Sequence, residues 1–111
     1  MVTGTDNTSA GAGRRLDAER LEKAAHILKC VAHPLRLAIV DLLGRHDSLS
    51  VGDICAELDS EQSLVSHHLS TMKSSGLIGA QRSGKNMMYF LRERDILKIF
   101  DCLENCNCNI L

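Results

Sequence analysis

The sequence predicts a mainly helical domain carrying one β-hairpin, in the order helix, helix, helix, helix, strand, strand, helix. Apolar residues recur at three- and four-residue spacing along most of the chain, the period of one face of an α-helix. Near Gly76 that period gives way to two short runs on either side of Ser83-Gly84-Lys85, the signature of a hairpin. With 111 residues in all, the chain buries only roughly 60 to 70% of its unfolded surface, so it forms one core and gains from a partner subunit.

Residues 1–15 lack apolar periodicity and read as a disordered tail; 16–106 form the folded domain, and 107–111 a short cysteine-containing tail. From Leu16 to Val31, the residues Leu21, Ala24, Ala25, Leu28 and Val31 make one apolar stripe. This first helix stops near His33-Pro34, because the residue before proline is pushed out of the helical region. Pro34 suits the first turn of a second helix, whose buried stripe is Leu35, Ala38, Ile39, Leu42 and Leu43 and whose end is Gly44. Ser50 and Asp53 make a capping-box-like start for a short third helix carrying Ile54 and Leu58. Asp59 or Ser60 can cap a fourth helix that runs to about Ser75 and closes on Gly76. Four helices thus precede any strand. The strands follow as Leu77–Arg82 and Asn86–Arg92, with Gly84 able to take the positive φ of a tight turn. Ile96, Ile99, Phe100 and Leu103 then restore helical spacing to about Cys106.

The formal charge of −1 argues at first against a nucleic-acid partner, since such domains are usually basic. Divided along the chain, it is −3 from Met1 to Glu61, +4 from Gln62 to Arg92 and −2 from Glu93 to Leu111. The middle stretch of 31 residues holds Lys73, Arg82, Lys85 and Arg92 and no carboxylate, although the chain has fourteen. Such a segment reads as a surface made to face an anion. Only Tyr89, Phe90 and Phe100 are aromatic, too few for a platform that stacks single-stranded bases. No stretch approaches the roughly 20 apolar residues of a membrane span, and the polar first fifteen residues do not form a secretory signal. The expected location is cytoplasmic.

Read face by face, the fourth helix places Leu64, Val65, Leu69 and Met72 inward and Gln62, Ser63, Ser66, His67, Ser70 and Lys73 outward. The outward set contains no glutamate, which an ordinary solvated helix face would use in pairs with lysine. It suits base edges and phosphates: Gln can address adenine bidentately, Ser and His can donate to several acceptors, and Lys73 can neutralise a phosphate. A short helix before it and a basic hairpin after it, with Arg82 and Lys85 near the tip, complete a winged helix-turn-helix with the fourth helix as the one that enters the major groove.

The segment Leu28 to Leu43 (L-K-C-V-A-H-P-L-R-L-A-I-V-D-L-L), the core Ser63 to Leu69 (S-L-V-S-H-H-L) and the wing Gly76 to Leu91 (G-L-I-G-A-Q-R-S-G-K-N-M-M-Y-F-L) closely resemble the ArsR/SmtB family of metal- and metalloid-responsive repressors. The match covers roughly Leu21 to Cys106. The resemblance implies a homodimer joined by the first and last helices, a palindromic double-stranded operator, and a ligand that lowers DNA affinity. It also implies that Gln62, Ser63, Ser66 and His67 face bases and that Arg82 and Lys85 belong to the wing. Leu16, Leu21, Leu28, Leu97, Phe100 and Leu103 are the candidates for dimer packing.

The ligand is argued from the cysteines: Cys30, Cys55, Cys102, Cys106 and Cys108. An odd count in a cytosolic protein favours metal or redox chemistry over structural disulfides. Cys102 and Cys106 stand four apart, so on a helix their thiols share a face. Cys108 lies about 200° around from Cys106, and joins them only if the helix ends there or if it serves the other subunit. Soft thiolates select soft acceptors, and a cluster of three sulfurs without a histidine suits As(III) or Sb(III) better than a four-ligand structural zinc. A competing reading makes Cys102 a small core residue and leaves the tail cysteines untethered. Many arsenite sensors of the family carry C-x-C at the start of the third helix, where this chain has Ser50 and Gly52. Its zinc sensors use histidine and carboxylate pairs on the last helix, and the corresponding Glu93, Asp95, Cys106 and Asn109 include no imidazole. Cys30 reads as core in preference to ligand, and His67 and His68 diverge by about 100° on a helix and cannot readily grip one ion. His26, His33 and His46 are isolated in sequence and read as structural.

No organic cofactor is implied, and no motif of an enzyme is present: neither G-x-S-x-G, nor H-E-x-x-H, nor G-x-x-x-x-G-K. The function expected is a repressor of a metalloid-resistance operon, released when As(III) or Sb(III) binds Cys102, Cys106 and Cys108. The alternatives are a thiol-redox or persulfide sensor of the same fold, a zinc or cadmium sensor, and a winged helix used only for protein interaction.

Overall fold

The computed structural model describes residues 17–105 of the 111. Helix α1 (Ala18–Cys30) starts where the Asp17 carboxylate accepts the Arg20 N–H at 2.8 Å, and it ends at Val31, three residues before Pro34. Helix α2 (Pro34–Gly44) has the proline at its first position, and the His33 ring accepts the Leu35 N–H at 3.1 Å as its cap. The proline and the glycine predicted to bound this helix do bound it.

Strand β1 (Leu49–Ser50) follows, so the expectation that four helices precede any strand is corrected. Two residues carry no periodic signal of their own; β1 exists because Leu49 and Ser50 pair with Tyr89 and Met88, forty and thirty-eight residues further on. Ser50 also begins helix α3 (Val51–Leu58) through a reciprocal capping box: its hydroxyl accepts the Asp53 N–H at 3.1 Å, and the Asp53 carboxylate accepts the Ser50 N–H at 3.2 Å. Two of the orphan donors of a helix start are thereby satisfied.

Helix α4 (Gln62–Ser74) is not capped by Asp59 or Ser60 as expected. Asp59 instead terminates α3 in the left-handed conformation, φ 50° and ψ 50°, a role that short polar side chains tolerate. The Ser60 hydroxyl turns back to the Leu58 carbonyl, and Glu61 becomes an N-cap whose side chain makes no capping bond. After Gly76, at φ +84°, strands β2 (Ile78–Ser83) and β3 (Asn86–Leu91) form the hairpin. Ser83 pairs with Asn86, leaving Gly84 and Lys85 as the two turn residues, with Gly84 at φ +64°, the glycine position of a type II′ turn. The sheet is antiparallel in the order β1-β3-β2.

A single 3₁₀ turn (Arg94–Ile96) leads into helix α5 (Leu97–Asn105). Ile96, expected within that last helix, sits in this turn and is buried. The core joins Ile39, Val40, Leu42 and Leu43 of α2 to Ile54 of α3, Val65, Leu69 and Met72 of α4, and Leu77, Ile78 and Leu91 of the hairpin. Helix α1 adds to it Cys30 and, just past its end, Val31, with Ile27 packed against them in part; Leu21, Ala24, Ala25 and Leu28 of the predicted stripe stand exposed. No helix among the described residues is long and apolar enough to cross a membrane.

Candidate nucleic-acid interface

Helix α4 is anchored by four consecutive core positions at the spacing i, i+3, i+4, i+7. Val65, Leu69 and Met72 are fully buried, and His68 is only 4% exposed. This phase differs from the one predicted in two ways. Leu64, expected inward, is 47% exposed, and His68 takes the inward place instead. The spacing already contained this solution, because 65, 68, 69 and 72 fit one helical face better than 64, 65, 69 and 72. Polarity masked it.

A histidine can hold that place because a partner reaches it. The Arg36 Nε donates to His68 Nδ1 at 2.9 Å, which puts the ring proton on Nε2, and the Arg36 Nη1 donates to the Cys30 carbonyl at 2.9 Å. One guanidinium thus ties the end of α1 to α4. The His33 ring lies 4.5 Å from that of His68 and the His67 ring 5.5 Å, centre to centre. Burial above all, and then the charges of His33, Arg36 and His67, hold the His68 pKa below the usual imidazole value. His68 is therefore a neutral strut. His33, read as isolated, is both a helix cap and a neighbour of this strut.

On the opposite side of α4, Gln62, Ser63, His67, Ser70 and Lys73 are exposed and Ser66 is half-buried. Five of the six are thus exposed as the sequence predicts, and Ser66 less so. The N-terminal turn of α4 carries no side-chain cap, which leaves its first N–H groups to other acceptors. Arg82 and Lys85 are exposed at the end of the hairpin, so the wing presents two cations beyond the helix. Arg92 lies back from the tip, its guanidinium 5.5 Å from the centre of the Phe90 ring. Two hydrogen bonds fix the base of this unit: His26 Nε2 lies 3.2 Å from the Ser75 carbonyl, joining α1 to the end of α4, and the Arg92 N–H donates to the Leu77 carbonyl at 2.9 Å.

The other predicted residues divide. Leu21 and Leu28 on α1 are 52% and 51% exposed. Leu97 and Phe100 on α5 pack in part against the protomer's own core, Leu103 is half-buried, and Ile99, which the dimer candidates omitted, is exposed. Cys30 is buried, Cys55 is half-buried, and Cys102 lies on the exposed side of α5. Leu16, Cys106 and Cys108 lie outside the described residues, as do the two tails. Among the described residues no three His, Cys, Asp or Glu side chains gather into a group that could hold a metal ion.

Residues 33–79, which run from the cap of α2 through α4 into β2, match the family described as bacterial regulatory protein, arsR family. The chain is 37% identical over 86 residues to the Methanocaldococcus jannaschii protein named uncharacterized HTH-type transcriptional regulator MJ1325, spanning 75% of this chain and 97% of that one. Among solved structures it is similar to the transcriptional repressor PagR of Bacillus anthracis, with a TM-score of 0.71 and 34% identity over 78% of this chain and 99% of that one. It is also similar to the homodimeric winged helix-turn-helix DNA-binding domain of Mb0332 from Mycobacterium bovis, with a TM-score of 0.67 and 28% identity over 79% and 81% of the two chains.

Proposed function

This chain belongs to the arsR family of bacterial regulatory proteins, and from that premise we propose a homodimeric transcriptional repressor that leaves its operator when As(III) or Sb(III) binds thiolates near its C-terminus. Family and fold are those of DNA-binding regulators of transcription, not of enzymes. The observation that carries the repressor reading is the outward face of α4: Gln62, Ser63, Ser66, His67, Ser70 and Lys73, without an acid, beside a wing that presents Arg82 and Lys85. Side chains of α4 address base edges, while Lys73, Arg82 and Lys85 position the protein on phosphates.

The homodimer is supported by the apolar side chains that the protomer leaves uncovered on its first and last helices, Leu21, Leu28 and Ile99. Mb0332, of similar fold, is itself homodimeric. A two-fold dimer sets two recognition helices about 34 to 36 Å apart, the spacing of half-sites one helical turn from each other.

The inducer reading rests on donor chemistry. Cys102 on α5 supplies one sulfur, and Cys106 and Cys108 would complete a set of three, from one subunit or two. Three soft donors suit a trivalent metalloid, and ligation requires thiolates, so it releases protons. Ligation lowers DNA affinity only to the extent that the ligand binds the DNA-incompetent dimer more tightly.

An operator mobility-shift assay tests both parts. Duplex bound specifically by reduced protein should be released by arsenite or antimonite, and Cys102→Ser should bind the duplex like the wild type yet resist release. Release by mild oxidant or polysulfide and recovery with dithiothreitol would replace the metalloid reading with a redox one. Release by Zn(II) or Cd(II) alone would make it a divalent-metal sensor. No specific binding at low salt would leave a winged helix that serves protein interaction.

A further inference from the structure

We propose that Leu64 reads the 5-methyl group of a thymine in each operator half-site; this rests on the repressor reading above and names a base that it recognises. Leu64 is the third residue of α4 and is 47% exposed, immediately before the fully buried Val65. At 100° per residue it sits on one flank of the outward face, about 60° from His67 and about 20° from Thr71. The opposite flank holds Ser66 and Lys73. The outward face is therefore two-sided, with donors along its centre and one edge and an apolar side chain along the other. Thr71 adds no free donor to the Leu64 side, because its hydroxyl is spent on the His67 carbonyl at 3.2 Å.

Leu64 is also set apart from the other large apolar side chains that are exposed among the described residues. Leu21, Leu28 and Ile99 lie on α1 and α5, the helices of the proposed dimer, whereas Leu64 lies on the recognition helix. It lies in the first turn of that helix, where the major-groove readers of this architecture touch bases. The major groove offers a leucine one apolar feature, the thymine methyl. The stretch from Gln62 to Arg92 carries +4 and no acid, which favours the close approach that such a contact requires, although Glu57, Asp59 and Glu61 stand exposed just before it.

The test uses duplexes enriched by the full-length protein from a random-sequence library, with each thymine then replaced singly by deoxyuridine, which removes only the methyl group. At one thymine position per half-site, the wild type should lose about fourfold in affinity per methyl, and about fifteenfold when both half-sites change, the size expected for an apolar methyl contact. Leu64→Ala should bind thymine and uracil duplexes equally, at the level the wild type shows for uracil, with unaltered circular dichroism and melting because the side chain is exposed. Wild-type binding indifferent to every replacement, or Leu64→Ala as sensitive as the wild type, overturns the assignment and leaves the repressor reading standing. Failure to enrich any duplex overturns both.

Discussion

Replacing Arg36 with methionine keeps an unbranched apolar stem and removes two hydrogen bonds, one to His68 Nδ1 and one to the Cys30 carbonyl, each 2.9 Å long. Bonds to a charged donor contribute about 1.5 to 3 kcal/mol each, and a buried acceptor left unpaired costs about 1 to 3 kcal/mol. Arg36 is itself half-buried, so the low end applies and the expected loss is about 3 kcal/mol. For a domain of this size, that lowers Tm by on the order of 10 °C. Urea unfolding followed by far-ultraviolet circular dichroism at fixed protein concentration should show a lower midpoint with an unchanged slope, because the surface exposed on unfolding hardly changes. The double variant Arg36→Met/His68→Leu makes the test sharp. Leucine in place of His68 deletes the buried acceptor, and apolar groups on both sides of a former hydrogen bond are nearly neutral, so the double variant should regain about half of what the single one lost. A loss under about 1 kcal/mol in Arg36→Met, or losses that simply add in the double variant, would refute the strut, since groups in contact must couple.

The same histidine sets a pH dependence. Its folded-state pKa lies below the ordinary imidazole value, so below about pH 6.5 the unfolded chain binds a proton that folded His68 refuses, and stability falls as the pH falls through that range. Urea midpoints at pH 7.5 and pH 5.5 should differ less in His68→Leu than in the wild type; an equal difference would mean that His68 does not supply it. Lys73→Ala and Arg82→Ala should each weaken operator binding and reduce the slope of log K against log salt by about 1, and an unchanged slope in both would remove this surface from the DNA. Leu21→Glu/Leu28→Glu places carboxylates where the protomer exposes leucines. The expected outcome is a monomer by sedimentation with its helical content retained, whereas a dimer that persists would shift the interface off α1.

What could be read from the sequence depended on how local the signal was. Pro34 and Gly44 bound α2, Ser50 and Asp53 cap α3, and Gly84 turns the hairpin, because each of these effects acts within a few residues. Two of the errors involve a partner far along the chain. Strand β1 needs Met88 and Tyr89. His68 turns inward because Arg36, 32 residues earlier, satisfies it, and Leu64 moves outward as the geometric consequence. Asp59 and Ser60 are good N-caps in isolation, yet the turn from α3 into α4 uses them to end the earlier helix. The six residues of the outward α4 face were legible for the opposite reason, since exposed polar side chains answer to solvent and ligand and not to distant packing. Leu21, Ala24, Ala25 and Leu28 were read as an apolar stripe, with Leu21 and Leu28 as candidates for dimer packing, and the protomer leaves all four exposed. Periodicity reports that a face is apolar, not which chain covers it.

The charge distribution bears on how such a protein could be switched. Debye screening confines each charge to about 8 Å at physiological salt, so a phosphate beside α4 or the wing meets the +4 stretch and not the net −1 of the chain. Far from the contact, the near-zero net charge provides little attraction to hold the protein on arbitrary DNA. Glu57, Asp59 and Glu61, all exposed just before the recognition helix, reduce that attraction further wherever the helix is not seated in its groove. Affinity must then come from contacts that exist only when both recognition helices are in register. On the proposed reading, a rearrangement of an α1–α5 dimer surface that displaced one helix would remove half of those contacts while leaving no strong background binding behind, so a ligand acting at α5 would need to shift spacing only slightly to empty the operator.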